Sequence, residues 1–458
     1  MTDLAQKPIT RLECFGFLIA MIGVQLSSEL YAQWGTYFYS PSEDTGRTIY
    51  VAVGLVAIIF IAGRLFDIIT DSFIGVFSDR TRQEPGRYRI IPIHGRRRPY
   101  IFWGSILMTF TGIAFWFPPV DQTSYINLAY GTILMSLHWG LYTLAYIPIL
   151  ALGLDFARDE ATRIRLGAWI AVGMILGIVV AAIVPGILIE ILDPARQVME
   201  GETVQYSAVG YQRVAILFSL VSLTTFQIFL WLVKERPTAP VDSGQGNVLR
   251  ELLNALRLPK FRLYLIIFFL FYIGVLTNQR AMPYFAELAL EGDEGTVTLL
   301  GIPFIISCLG AALLCPLLLK RMSINVLMAV AIATIGLSLP FLYGVAIMTG
   351  EVALKLKLSI FIYGLNGIGL GFMYVLVTPL MGDLIDGYYK RFGQRKEAVF
   401  NALHAMMVKF AQVFGILIAT QCMSNFGNSP ETPTGVFLVA PIGGVFCIIA
   451  LILALRYP

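Results

Sequence analysis

The feature that most constrains this chain is a repeat of apolar runs about twenty residues long, each sufficient as a helix to cross roughly 30 Å of hydrocarbon. Such runs start near Leu12, Thr48, Tyr100, Tyr125, Leu166, Tyr211, Leu263, Thr296, Ile324, Leu356, Val399 and Val436. A chain that is 57% hydrophobic and 14% charged cannot wrap these segments around one aqueous core. In lipid every backbone amide must be satisfied within the protein, so a spanning segment is a helix or belongs to a closed barrel. Runs of this length exclude the short alternating segments of a barrel. The expectation is an all-α membrane protein with twelve transmembrane helices. The opening MTDLAQKPITRLE carries no cleavage-site pattern, so the first run is read as a retained helix.

Basic residues alternate from loop to loop. RTRQEPGRYRIIPIHGRRR, ARDEATRIR, residues 234–262, LLLKRM and YYKRFGQRK are rich in Lys and Arg, whereas SPSEDTGR, PPVDQTS, DPARQVMEGETVQ and EGDEGTV are acidic or neutral. The positive-inside rule places the basic set and both termini in the cytoplasm. The formal net charge of +4 therefore reports orientation in a bilayer and does not call for a nucleic-acid partner. Cys14, Cys308, Cys315, Cys422 and Cys447 lie in apolar stretches without metal-type spacing and read as free packing thiols. Nothing matches a phosphate-binding loop, a zinc H-E-x-x-H or a nucleophile elbow, so neither an enzyme nor a cofactor is expected.

The intramembrane charges are the informative residues, because a carboxylate in mid-bilayer costs at least about 2.5 kcal/mol on insertion scales and has to face the protein interior. In GRLFDIITDSFIGVFSDR, Asp67 and Asp71 are four apart. They share one helical face, with Cβ atoms roughly 5 to 6 Å apart. Two like charges so placed raise each other's proton affinity unless a cation sits between them, which suits Na⁺ or H⁺; alternatively they pair with Arg64 on the same face. Glu29 lies a turn beyond Gln25, either as a substrate or proton ligand or as the counter-ion of an intramembrane base. The candidate bases are Arg280, toward the outer half of the seventh span, and Lys409, too deep in the eleventh to snorkel easily. His138 and Trp139, mid-way along the fourth span, are lesser polar candidates.

The longest polar interruption, KERPTAPVDSGQGNVLRELLNALRLPKFR, separates a first six-helix half, residues 1–233, from a second, 262–458. In the linker between them, 234–261, Leu249, Leu252, Leu253 and Leu256 fall at helical spacing and predict a surface-lying amphipathic helix. This layout resembles the major facilitator superfamily. So does GVFSDR, with Gly75, Asp79 and Arg80, followed after an insertion by GRRRP, with Gly95, Arg96, Arg97 and Arg98. The resemblance is to that superfamily's G-x-x-x-D-R-x-G-R-R motif and implies a cytoplasmic gate of paired acid and base. The insertion, 82–94, has no assigned role.

A narrower resemblance follows from R-L-F-D-I-I-T-D-x-x-x-G, from WGLYTLAYIPILAL and from MGDLIDGYYKRFGQRKEAVFNALHAMMVK. These segments, in this order, are similar to the glycoside-pentoside-hexuronide:cation symporters. The resemblance implies a coupling cation, Na⁺ or H⁺, between Asp67 and Asp71 with Thr143 alongside, and with Thr70 where melibiose-type members carry Asn. It assigns Asp383 and Asp386 to the coupling and gate machinery and makes Lys409 the link between cation and substrate. Gln25 and Tyr146 stand where melibiose-type members carry sugar-binding aspartates, Leu150 replaces their stacking Trp, and Tyr374 and His404 occupy substrate-contacting positions. The galactoside recognition set is thus rewritten, while IGVQLSSELY and HGRRRPYIF resemble sucrose transporters. The implied protein is a monomeric symporter of the bacterial inner membrane, driving a sugar or glycoside by alternating access; an amphipathic, lysolipid-like solute is the alternative.

Overall fold

A computed structural model describes residues 9–80, 95–156, 159–195, 206–235, 248–393 and 397–457. Among them the chain is entirely helical: α1 Arg11–Tyr39, α2 Val53–Arg80, α3 Arg98–Phe115, α4 Tyr125–Phe156, α5 Glu160–Leu192, α6 Val209–Leu232, α7 Val248–Leu256, α8 Pro259–Leu290, α9 Glu294–Leu318, α10 Ile324–Ile347, α11 Val352–Phe392, α12 Glu397–Phe426 and α13 Thr434–Ala454. Eleven of these helices are long and apolar enough to cross a membrane. The eighteen-residue α3 is the remaining long helix, and the nine-residue α7 is too short to span. Large apolar side chains such as Trp231, Leu313, Phe110 and Phe341 point outward, as they do where the solvent is lipid.

Local chemistry sets the helix ends. The Glu13 amide donates to Thr10 Oγ1 at 3.1 Å while the Thr10 amide donates to Glu13 Oε2 at 2.8 Å, a reciprocal capping box that starts α1. Asp293 forms a second capping box, with Thr296, at α9, and the Asp159 and Ser323 side chains accept from the Thr162 and Val326 amides at the starts of α5 and α10. Gly393, at φ 71°, ends α11 in the left-handed conformation. That helix has 41 residues, and at 1.5 Å per residue it runs about 60 Å, twice the hydrocarbon thickness. Its last turns therefore carry Asp383 and Asp386 beyond the apolar zone, as a helix where a loop would be expected. Internal prolines, among them Pro148, Pro185, Pro283 and Pro379, are accommodated because neighbouring groups in a membrane protein re-satisfy the freed carbonyls.

The chain divides into two compact units, one comprising 1–40 and 48–243 and the other 41–47 and 244–458. In the first, α1 packs on α5 and α6, α2 on α4, and α3 on α4 and α6. Its core joins Phe17, Met21 and Val24 of α1 to Met108 of α3, Leu152 of α4 and Phe229 of α6. In the second, α11 packs on α9 and α10, α13 on α8 and α10, and α12 on α8. The short segment Pro41–Arg47 is built into this second unit, where Arg47 pairs with Glu287 at 2.9 Å and with Glu294 at 2.7 Å, all three nearly buried. Of the linker expected at 234–261, residues 236–247 lie outside the described residues; α7 lies against α8 and α12.

Close helix contact in the second unit depends on Gly274. A Cβ there would lie 2.5 Å from the Gly443 carbonyl oxygen and 2.5 Å from Cys447 Sγ. Since backbone cannot yield as a side chain does, Gly274→Val is expected to force α8 from α13 at a cost of about 1–3 kcal/mol. Thermal unfolding of the purified protein should show a lower Tm for this variant, and an unchanged one for Gly344→Ala, where the added methyl meets nothing within 4 Å.

Candidate functional site

The packing of α2 along α4 brings the acidic pair of one helix against a hydroxyl of the other. Asp67 is 1% exposed. Thr143 Oγ1 lies 2.7 Å from Asp67 Oδ1 and 3.0 Å from Asp71 Oδ1. A threonine hydroxyl has a single proton, so it can donate to one of these carboxylates but not to both. The second oxygen pair is attractive only if Asp71 or Asp67 carries a proton, or if a cation draws the oxygens together. Arg64 Nη1 reaches Asp67 Oδ2 at 3.3 Å. Its guanidinium lies over the Trp139 ring at 3.5 Å from the centroid, which holds that side chain beside the acids. Trp139, Tyr142 and Tyr146 continue as an aromatic ladder along α4, with successive centroids 5.1 and 5.4 Å apart.

The ion pair with Arg64 thus uses one oxygen of Asp67 and the Thr143 hydroxyl uses the other. Thr70 faces elsewhere: its hydroxyl lies 3.0 Å from the Phe66 carbonyl oxygen and 3.1 Å from that of Asp67, so its one proton goes to its own helix backbone, as hydroxyls within helices commonly arrange. Gln25 is buried on α1 and Glu29 is partly buried a turn further on. His138 is fully enclosed, its Nε2 3.0 Å from the Ser27 carbonyl.

In the second unit, Arg280 is buried on α8, Lys409 is partly buried on α12 and Tyr374 is half exposed on α11. His404 Nδ1 lies 3.1 Å from the Tyr264 hydroxyl, within a group of rings formed with Phe268 and Tyr272. Asp383 accepts from Lys260 Nζ at 2.7 Å on an exposed surface, and Asp386 is exposed nearby on the same helix.

A second charged cluster occupies the start of α3. Arg97 Nη1 donates to Asp155 Oδ2, and Arg96 Nη2 stands 4.0 Å from the same oxygen. The Arg97 amide donates to Glu235 at 3.0 Å. Burial raises the Glu235 carboxyl above its ordinary range, against the opposing pull of those amides and guanidiniums. Gly95, which precedes the cluster, has φ 143°. Asp155 and Glu235 were not among the residues singled out from the sequence; the available signal was that each is an acid at the end of an apolar run, in LGLDFARDE and in WLVKERP. The side chains of Gly75, Asp79 and Arg80, and the whole of 82–94, lie outside the described residues.

A family model described as MFS/sugar transport protein matches residues 16–458. The chain belongs to this family. It is similar to the inner membrane symporter YicJ of Escherichia coli, 22% identical over 80% of this chain and 73% of that protein. It is also similar to the isoprimeverose transporter of Lactiplantibacillus pentosus, 23% identical over 92% of this chain and 82% of the other. Among solved structures a variant of the nucleoside transporter NupG superposes with a TM-score of 0.68 at 11% identity, covering 98% of this chain and 100% of that one, which speaks for the fold alone. The protein is a membrane transporter of the major facilitator superfamily and not an enzyme.

In this family member the cluster at the start of α3 yields a direct expectation. Asp155→Asn leaves two largely buried guanidiniums facing a neutral amide, and breaking a buried pair from one side costs about 3–5 kcal/mol. The purified Asp155→Asn protein should melt well below wild type, with Asp155→Glu restoring part of the loss.

Proposed function

We propose that the protein is a cation-coupled symporter of a sugar or glycoside in the bacterial inner membrane, with Asp67, Asp71 and Thr143 holding the coupling ion. The observation that carries this reading is the arrangement of two carboxylate oxygens about one hydroxyl, with a single proton to share, in a site where Asp67 is almost wholly enclosed. A cation supplied from outside, Na⁺ or H⁺, completes such a site. All its donors are oxygens, which suits a hard ion. The relatives' own names, an inner membrane symporter, an isoprimeverose transporter and a putative glycoside/cation symporter, support the same direction for membrane, solute and coupling. None of them favours the amphipathic, lysolipid-like solute.

Ion binding and solute movement are linked through alternating access of two six-helix halves, 1–233 and 262–458, within one chain that works as a monomer with both termini cytoplasmic. Gln25, Glu29 and Tyr146 supply hydrogen-bonding groups for the solute from the first half; Arg280, Tyr374, His404 and Lys409 supply them from the second. Thr70 contributes through its place on the ion-binding turn. Arg64, held on Trp139 and against Asp67, is positioned to take over the acids when the ion leaves. Coupling and gating are assigned to Asp79, Arg80, Arg96 and Arg97 in the first half and to Asp383, Asp386 and Lys409 in the second.

The test is uptake of radiolabelled sugars and glycosides into proteoliposomes under an imposed Na⁺ or proton gradient. Asp71→Asn and Thr143→Val are expected to lose gradient-driven accumulation, with ion affinity lowered by about 10–100-fold, while equilibrative exchange of solute persists. Thr143→Ser keeps the hydroxyl and should retain coupling. Undiminished uphill accumulation by Asp67→Asn or Asp71→Asn would overturn the assignment.

A further inference from the structure

Within the first unit a small cavity of about 10 Å³ opens among Ser27, Tyr31, Met108, Thr109, His138 and Ser219, close to the minimum that admits one water molecule. His138, 2% exposed, places one ring nitrogen on each of two different surroundings. Its Nε2 lies 3.0 Å from the Ser27 carbonyl, an acceptor only, so in the neutral ring Nε2 bears the hydrogen. Nδ1 is then a lone-pair acceptor, and it is buried with no hydrogen-bond partner among the described residues. That leaves one enclosed acceptor beside a polar cavity, a place for a small molecule with a donor hydrogen.

From this geometry we infer a buried hydration site, in which one water donates to His138 Nδ1 and accepts from a lining hydroxyl. The Tyr31 hydroxyl, which bonds to Ser219, and the Ser219 hydroxyl itself are the available donors. Gly112 keeps the site open. A methyl group at that position would come within 2.5 Å of Tyr31 Oη and 3.2 Å of His138 Nδ1, and the Tyr31 and His138 rings are already only 4.4 Å apart. The water joins α1, α4 and α6 at one level, through Tyr31, His138 and Ser219. His138 is next in sequence to Trp139, on which Arg64 rests. The water thereby holds the turn of α4 that positions Arg64, without itself being a ligand of the acidic pair.

Solid-state NMR of the full-length protein in lipid, with ¹⁵N-labelled histidine, tests this directly. The His138 resonances are identified by their loss in His138→Asn. The expected result is a neutral ring protonated at Nε2, with magnetisation passing from water protons to Nδ1. Gly112→Ala should abolish that transfer, and Ser219→Ala, which removes a lining hydroxyl without adding bulk, should weaken it. A ring protonated at Nδ1 or doubly protonated, a wild-type Nδ1 that receives nothing from water, or transfer unchanged in Gly112→Ala would each overturn the inference. The wild-type spectrum decides the matter even if Gly112→Ala does not fold.

Discussion

The contact between Thr143 and the Asp67–Asp71 pair is the interaction on which the rest of the first unit turns. A carboxylate in hydrocarbon is tolerated only when charge and hydrogen bonds are returned to it locally. Here the return comes from three directions: a hydroxyl on α4, a guanidinium one turn back on α2, and an aromatic face that carries the guanidinium. The hydroxyl and the aromatic face require α2 and α4 to lie against one another, whereas the guanidinium comes from α2 itself. On the proposed reading, an ion held by these oxygens would alter the forces at the seam between the two helices.

Elsewhere the same rule recurs in a weaker form. At the start of α3, two arginines converge on Asp155 and a backbone amide is received by Glu235, so charge is neutralised at the end of helices where water is near. In the second unit Arg47 is enclosed by Glu287 and Glu294, and a stretch of seven residues is thereby held to a unit otherwise formed by 244–458. Buried ion pairs seldom add net stability; their use is to select one arrangement among several and to release it when one partner is neutralised. A transporter that alternates between states has reason to keep its charges in such pairs.

Some of this site was legible in advance and some was not. The four-residue spacing of Asp67 and Asp71 places them on one face by helix geometry alone, and Arg64 follows at the preceding turn. Thr143 was reached through family resemblance, since nothing local to LYTLAY marks its hydroxyl as pointing at another helix. Asp155 and Glu235 escaped notice because their partners lie 58 and 138 residues away in sequence. Thr70 illustrates the converse: its position beside the acids is local, but its hydroxyl is taken by its own helix carbonyls. The 41-residue length of α11 was hidden too, because hydropathy marks where a helix enters lipid and not where its hydrogen bonding stops.

By itself the sequence determined the solvent, the secondary structure and the family: apolar runs of spanning length leave helices as the only backbone solution, and charges placed inside them have to face the protein interior. The tertiary structure alone decided which oxygen meets which proton. One hydroxyl between two carboxylates, an arginine resting on Trp139 and a histidine with one nitrogen left for a cavity all depend on the rotation and separation of neighbouring helices. Those are set by side-chain packing over the whole unit, which no local stretch of sequence encodes.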